Sequence, residues 1–402
     1  PVNNSYEIGL NSASAGTGMK NSGNASMDQN VHMNASLVSA DNKTGMALYG
    51  FYRDRQPFDA NNDRFSELPS LNNITIGSRI YHRFGTRSKL TGDFFTIKEE
   101  RRGGNKHEYP PHEADIAEMV NHKISTGALT FDQFLREKDL LSFFVSGQKV
   151  ERDSYYGAMQ SLRDYGRTKD FSYIFGAQYN AHFDNSTFII GAENNGAWLE
   201  DTKLGHPDLT DAYTNSNDSI IIPHSENSLI ADQTTNTFGV YTQYEFSFNL
   251  LKISTGIRFD NFLIRDNKKE AEDKKGSVIV PRLNLKYDIT EHLRARASYS
   301  RGYRAPQIFD EDLHIEASAA RYVIHENDPD LEKETGNSFM LSVDADKKLG
   351  NMYIEIFAEG FYTHLNNPFA NEYSDPDENG TIVYTRINAE NGATVKGINL
   401  EV

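Results

Sequence analysis

Polar and apolar residues alternate along most of this chain, and that period of two constrains the fold more than any other feature. From Phe238, one face reads Phe238, Val240, Thr242, Tyr244 and Phe246, and the other Gly239, Tyr241, Gln243 and Glu245. Ile253, Thr255, Ile257 and Phe259 alternate in the same way with Lys252, Ser254, Arg258 and Asp260. Successive strand side chains point to opposite faces, so each such run is a strand with one apolar face. The pattern predicts 16 strands, at residues 5–15, 30–40, 43–54, 72–85, 87–100, 115–136, 140–154, 170–183, 186–200, 234–249, 251–265, 277–289, 292–304, 336–348, 351–366 and 392–402. No amphipathic helix of more than two turns competes with them, so the fold class is all-β. Most of these strands reach about twice the usual soluble length of ~5–6 residues.

The connections narrow the class. Short turns at Asp41-Asn42, Gly85-Thr86, Glu137-Lys138-Asp139, Asp184-Asn185, Leu250, Thr290-Glu291 and Leu349-Gly350 alternate with long segments. The long segments are 16–29, 55–71, 101–114, 155–169, 201–233, 266–276, 305–335 and 367–391. In an up-and-down antiparallel sheet every second connection lies at the same end. All short turns therefore share one end and all long loops the other, the asymmetry of a transmembrane β-barrel with periplasmic turns and extracellular loops. Tilted strands that cross a bilayer need ~9–11 residues, which these supply. No repeat of fixed period supports a propeller. Arg79, Arg83, Gln243, Glu245, Arg258, Asp260, Arg282, Lys286, Asp288, Arg294 and Arg296 are expected to face the lumen, and the alternating Leu, Ile, Val and Phe to face lipid. Tyr155, Tyr156, Tyr287, Tyr299, Tyr303, Tyr353, Phe361 and Tyr362 lie near strand ends and suit interfacial aromatic girdles.

Composition removes other classes. The 402 residues include no cysteine, which excludes disulfide scaffolds, Cys-ligated zinc and thiol catalysis. A formal net charge of −16 argues against a nucleic-acid partner. The opening Pro1-Val2-Asn3-Asn4-Ser5 lacks the basic flank and apolar core of a signal peptide. No enzyme is expected: His112-Glu113 has Ile116 where a zincin needs its second histidine, and neither a G-x-S-x-G elbow nor a phosphate loop is present.

Four motifs carry a family resemblance. Ser298-Tyr299-Ser300-Arg301-Gly302-Tyr303-Arg304-Ala305-Pro306 resembles the Tyr-Arg-Ala-Pro box of TonB-dependent outer-membrane receptors, at the entry to a large extracellular loop. Asn327-Asp328-Pro329-Asp330-Leu331 resembles their Asn-Pro-Asn/Asp-Leu box, with Asp328 as an extra residue. Residues 391–401 resemble a late strand of the same family. Arg101-Arg102-Gly103-Gly104-Asn105 with Pro110-Pro111-His112-Glu113-Ala114-Asp115-Ile116 is similar to the cobalamin-receptor-like branch of Bacteroidota, which are Gram-negative. The resemblance implies a cell outer-membrane active importer with a 22-stranded barrel and an N-terminal plug. About 16 of those strands are here, so residues 1–402 are expected to be a partial barrel. The plug and its TonB contact would precede it and about six strands would follow. The alternative is a passive 16-stranded diffusion porin. Implied partners are outer-membrane lipid, the TonB complex through the plug, a surface lipoprotein, and cobalamin, haem or another metal chelate as cargo.

Candidate site residues follow. The family's haem receptors place an axial histidine between the two boxes, so the resemblance puts that role on His314 or His325. Imidazole suits haem iron, whereas cobalamin arrives with its cobalt already coordinated. Tyr303 and Asp312, on the same segment, are candidate ligand contacts. No cofactor is required. Asp59, Asn61, Asp63 and Glu67 form a D-x-N-x-D-x-x-x-E pattern in a long loop, an oxygen set that can wrap Ca²⁺. The pattern lacks the EF-hand glycine and equally describes an Asx-rich turn.

Overall fold

The computed structural model describes residues 3–20, 25–215, 218, 220–268, 273–307, 322–350, 352–378 and 381–402. Sixteen strands form one antiparallel sheet in which each strand pairs with its neighbours in the chain. They are β1 (Ser5–Ala15), β2 (Ser26–Val38), β3 (Thr44–Arg55), β4 (Ser66–Arg83), β5 (Ser88–Gly104), β6 (Ile116–Phe134), β7 (Leu140–Ala158) and β8 (Tyr165–His182). The second half comprises β9 (Ser186–Leu204), β10 (Ser228–Phe248), β11 (Leu251–Asp266), β12 (Lys274–Thr290), β13 (Leu293–Arg304), β14 (Glu334–Leu349), β15 (Met352–Asn366) and β16 (Ala393–Glu401). The all-β, up-and-down class stands, and so does the number of strands.

Register confirms the two faces. Paired residues share a face, and Ile190, Thr242, Ile257 and Pro281 lie in one row. The apolar face is exposed without a partner: Phe94 at 51%, Leu129 at 53% and Ile257 at 49% are typical. A water-facing surface does not carry so continuous an apolar band, whereas hydrocarbon requires one. The opposite face carries ion pairs: Arg79 to Asp93 at 2.5 Å, Lys252 to Glu245 at 2.7 Å, and Arg296 to Asp344. Short turns use residues suited to tight reversal. Asn42 and Gly85 have φ of 54° and 89°, the left-handed region that Asn and Gly tolerate best.

Three expectations need correction. Several strands run past their predicted ends, such as β4, β8, β9 and β10 at their long-loop ends. Their apolar alternation stops at the edge of the bilayer band, but the hydrogen-bonded ladder continues above it without an apolar face. Segment 305–335 is not one irregular loop, because a strand occupies Tyr322–Asn327. Tyr155 belongs to no lipid girdle: it is 0% exposed, in a small core with Ala114 and Ala117, covered by the loop before β6. A closed 16-stranded porin requires β1 paired with β16, and no such pairing occurs among the described residues.

Candidate functional site

The long-loop end of β12–β16 carries the most developed loop architecture. Strand Tyr322–Asn327 pairs in parallel with Thr381–Asn388, which pairs antiparallel with Phe369–Tyr373. This sheet ties the loop before β14 to the loop before β16. The box residues then form a turn: Leu331 N–H donates to the Asp328 carbonyl at 3.0 Å, and Asp330 N–H to the Asp328 carboxylate at 2.7 Å. Leu331 is buried beneath it. Lys274, the first residue of β12, donates from Nζ to three carbonyls of that turn: Asp328 at 2.6 Å, Pro329 at 3.2 Å and Leu331 at 3.2 Å. The extra Asp328 thus supplies the turn's cap and the shortest of the ammonium's bonds.

A second clasp holds the two loops together. The Asn388 side chain accepts from Glu332 N–H at 2.7 Å and donates to the carbonyls of Glu332 and Asn367. Glu334 accepts from Phe369 N–H at 2.9 Å. The Phe369 ring is contacted by the guanidiniums of Arg304 and Arg386, at 5.8 and 5.9 Å from its centroid, within cation–π range. Arg304 comes from the Tyr-Arg-Ala-Pro box and Glu332 follows the second box, so both boxes build the root of the mouth loops.

Of the candidate ligand residues, His314 and Asp312 lie outside the described residues. His325 is in strand Tyr322–Asn327, in register with Tyr384. Tyr303 sits in β13, its ring stacked on Phe262 at 6.0 Å and its hydroxyl bonded to Asp260. Arg258 donates to Asp260 at 2.7 Å and to Glu193 at 2.7 Å, so Tyr303, expected in the lipid girdle, is instead part of a charged network in the wall. Lys274, Asn388 and Arg386 escaped the sequence reading. Lys274 and Asn388 reach partners 54–57 residues away, Arg386 packs on Phe369 seventeen positions earlier in a different strand, and no local pattern marks any of them.

The Asp59 loop does bring its acids together. One oxygen from each of Asp59, Asp63 and Glu67 lies within 4.8 Å of the others. Each carboxylate also accepts backbone N–H groups: Asp59 from Asn61, Asn62 and Arg64, Asp63 from Phe65, and Glu67 from Ala60. Asn61 accepts from Asp63 N–H and donates to the Asp63 carboxylate. Desolvation pushes the Asp59 carboxyl up, but the N–H groups of Arg64, Asn62 and Asn61 outweigh it and hold it below the ordinary range. The result is an Asx-turn network with a hard, oxygen-only donor set.

The motifs at 101–105 and 110–116 form a third structure. Asn105 donates to Asp115 at 2.8 Å and accepts from its N–H at 3.0 Å, closing the loop. Buried Arg102 donates to the carbonyls of Tyr109 at 2.5 Å and Lys106 at 3.1 Å. His112 bonds the Tyr165 hydroxyl at 2.8 Å. Burial, then the Arg102 charge, depresses the His107 imidazole below its ordinary value.

Residues 32–402 match the family described as TonB dependent receptor-like, beta-barrel. The chain belongs to this family. TonB-dependent receptor barrels are outer-membrane transporters and receptors, not enzymes. Among solved structures, this family barrel is similar to the siderophore receptor PirA from Pseudomonas aeruginosa, at 13% identity and a TM-score of 0.66, covering 98% of this chain and 62% of that one. The FrpB iron transporter from Neisseria meningitidis matches at 11% identity and a TM-score of 0.67, covering 100% and 60%. The receptor HasR of Serratia marcescens, solved with its hemophore HasA and heme, matches at 11% and 0.66, covering 98% and 61%. The chain thus spans about three-fifths of these relatives' length, and the likeness shows the fold. A search of curated proteins finds no match.

Proposed function

We propose that this barrel is the wall of an outer-membrane active importer for a scarce, bulky nutrient, most specifically a metal tetrapyrrole such as cobalamin or haem. The observation that carries the transport reading is the family match over residues 32–402 of a sheet with one lipid-type face and one charged face. Capture would occur at the long-loop end, where the two boxes root a mouth built from three chain segments. Energy would come through a plug and TonB, with a surface lipoprotein as a further partner. The plug and remaining strands would belong to the rest of a longer protein. The cobalamin-like motifs at 101–116 support a corrinoid, and His314 and His325 support haem.

Titration of the full-length receptor with both compounds separates the two cargoes. If haem is the cargo, a double His314→Ala, His325→Ala change weakens haem binding and alters its visible absorption. Cobalamin binding is unaffected by the same change. High-affinity cobalamin binding by wild type and double variant alike removes the haem reading. Binding of neither compound removes the tetrapyrrole reading and leaves the transporter class. TonB-independent uptake of small solutes would replace that class with a passive pore.

A further inference from the structure

The outer surface of β5–β7 carries a basic cluster directly above an apolar groove. Lys98 on β5 and Lys123 on β6 are paired in register, and both are exposed. Lys149 on β7 is opposite Ser125, one row nearer the apolar band. Register assigns all three to the apolar face, since Phe94, Gly127 and Gly147 form one row on the same strands at the same parity. They stand at its upper boundary: below them the outward positions are Thr96, Phe94, Ser125, Gly127, Leu129, Gly147 and Val145, and above them Glu100, Asn121 and Asp153. Like charges directly opposite on antiparallel strands destabilise the pair. Lys149 bonds Glu151 at 2.7 Å, but among the described residues neither Lys98 nor Lys123 forms an ion pair. Glu151 is the acid opposite Lys123 and is already engaged. Lys98 lies between Ile74 and Lys123 in register, and Lys123 shares Glu151 with Lys149, so three lysines stand against one acid at this level. In a chain of net charge −16 that local excess marks a place where an anion is accommodated.

The groove lies on the same strands. It has a volume of 440 Å³, is walled by Phe94, Leu129 and Val145, and is floored by Gly92, Gly127 and Gly147. A Cβ added at Gly127 would meet nothing within 4 Å, so the floor opens to the outside. From Lys123 to Gly127, and from Lys98 to Phe94, is four residues of strand, about 13 Å at ~3.3 Å per residue. Lysine stems reach along apolar surface while their ammonium groups stay at the polar boundary. An occupant must therefore be anionic at the level of the lysines and hydrocarbon one step deeper. Thr96 and Ser125 add hydroxyls at the intervening level, 3.3 Å apart.

We propose that this face binds one phosphorylated lipid of the outer leaflet, its phosphate between Lys98, Lys123 and Lys149 and an acyl chain in the groove. The site is remote from the mouth loops and has no part in cargo capture. It rests on the outer-membrane reading alone. It gives the barrel a fixed lipid contact beneath the loop that Arg102 and Asn105 organise.

The test uses the full-length receptor extracted from outer membranes in mild detergent, with co-purifying phosphorylated lipid quantified per barrel by mass spectrometry. Lys98→Gln with Lys123→Gln is expected to lower retained lipid about tenfold or more. Gly127→Leu, which fills the groove and leaves every charge, is expected to lower it comparably. Lys286→Gln, a charge loss on the lumen face, leaves it unchanged. Heat-modifiable gel mobility confirms that each variant is folded. Equal retention in wild type and both site variants overturns the proposal. Loss in the lysine variant with full retention in Gly127→Leu overturns the acyl-chain half and leaves an anion site. Lysine-dependent binding of inorganic phosphate by a wild type that retains no lipid assigns the site to free phosphate instead. Absence of the wild type from the outer-membrane fraction would fail the location reading, separately from the lipid result.

Discussion

Replacing Lys274 by methionine removes an ammonium that bonds three carbonyls of the Asp328–Leu331 turn, at 2.6, 3.2 and 3.2 Å. A hydrogen bond to a charged group contributes about 1.5–3 kcal/mol net, and water can replace much of the lost bonding at a loop. The three bonds together are therefore assigned about that range rather than its triple. One factor of ten corresponds to about 1.4 kcal/mol, so local opening of the turn should rise by about 10- to 150-fold. Native-state hydrogen exchange at the Asp328, Asp330 and Leu331 amides reads this directly, because each is hydrogen-bonded within the clasp. Lys274→Arg should give an intermediate rise, since a planar guanidinium presents its donors in a fork and cannot converge on three carbonyls in the same way. Unchanged exchange in Lys274→Met would refute the clasp. An equal rise across β6–β9 would mean that the substitution weakens the whole barrel instead of one loop root.

Three other outcomes are expected. Ile257→Arg places a charge on the lipid face and should cost about 2–4 kcal/mol near mid-bilayer in a refolding titration, whereas Arg258→Ile should spare membrane insertion and perturb only the Glu193 and Asp260 network; equal folding defects would reverse the faces. His107 is depressed below its ordinary value, so the unfolded loop binds more protons as pH falls; protection of residues 105–115 from protease should hold at pH 7–8 and decline below about 6.5, and His107→Gln should abolish that slope. If the Asp59 loop takes Ca²⁺, calcium should protect residues 59–67 from cleavage, with the effect lost in Asp59→Asn with Asp63→Asn; identical cleavage in calcium and in chelator would leave only the Asx turn.

The strands were legible because their signal is local and repeated. Leu129, Phe131 and Val145 are read from a period that the bilayer itself imposes. The upper ends of β8 and β9 were not, because above the band the outward side chains are Lys169, Arg167 and Thr202, which sequence cannot tell from loop. Tyr155 shows the same limit. An aromatic near a strand end suits a lipid girdle equally well until the loop carrying Ala114 is seen to cover it. The Asp59 cluster was readable since its acids lie within nine positions. The Lys274 and Asn388 clasps were not, since each joins positions 54–57 residues apart.

Neighbour-to-neighbour pairing throughout the large sheet also has a consequence for the order of assembly. Each new hairpin finds its ladder partner in the strand that emerged just before it, so the sheet can lengthen one strand at a time from an advancing edge. Growth is not uniform. Between β6 and β7 the chain must close only residues 135–139, while between β13 and β14 it must close 305–333. Each doubling of a closed loop adds about 0.6 kcal/mol, so the second step carries about 1.5 kcal/mol more entropic cost than the first. Part of the bonding that steadies that long loop comes from Thr381–Asn388, which lies beyond β14 and β15 in the chain. The mouth therefore sets late, after the wall beneath it has been laid down.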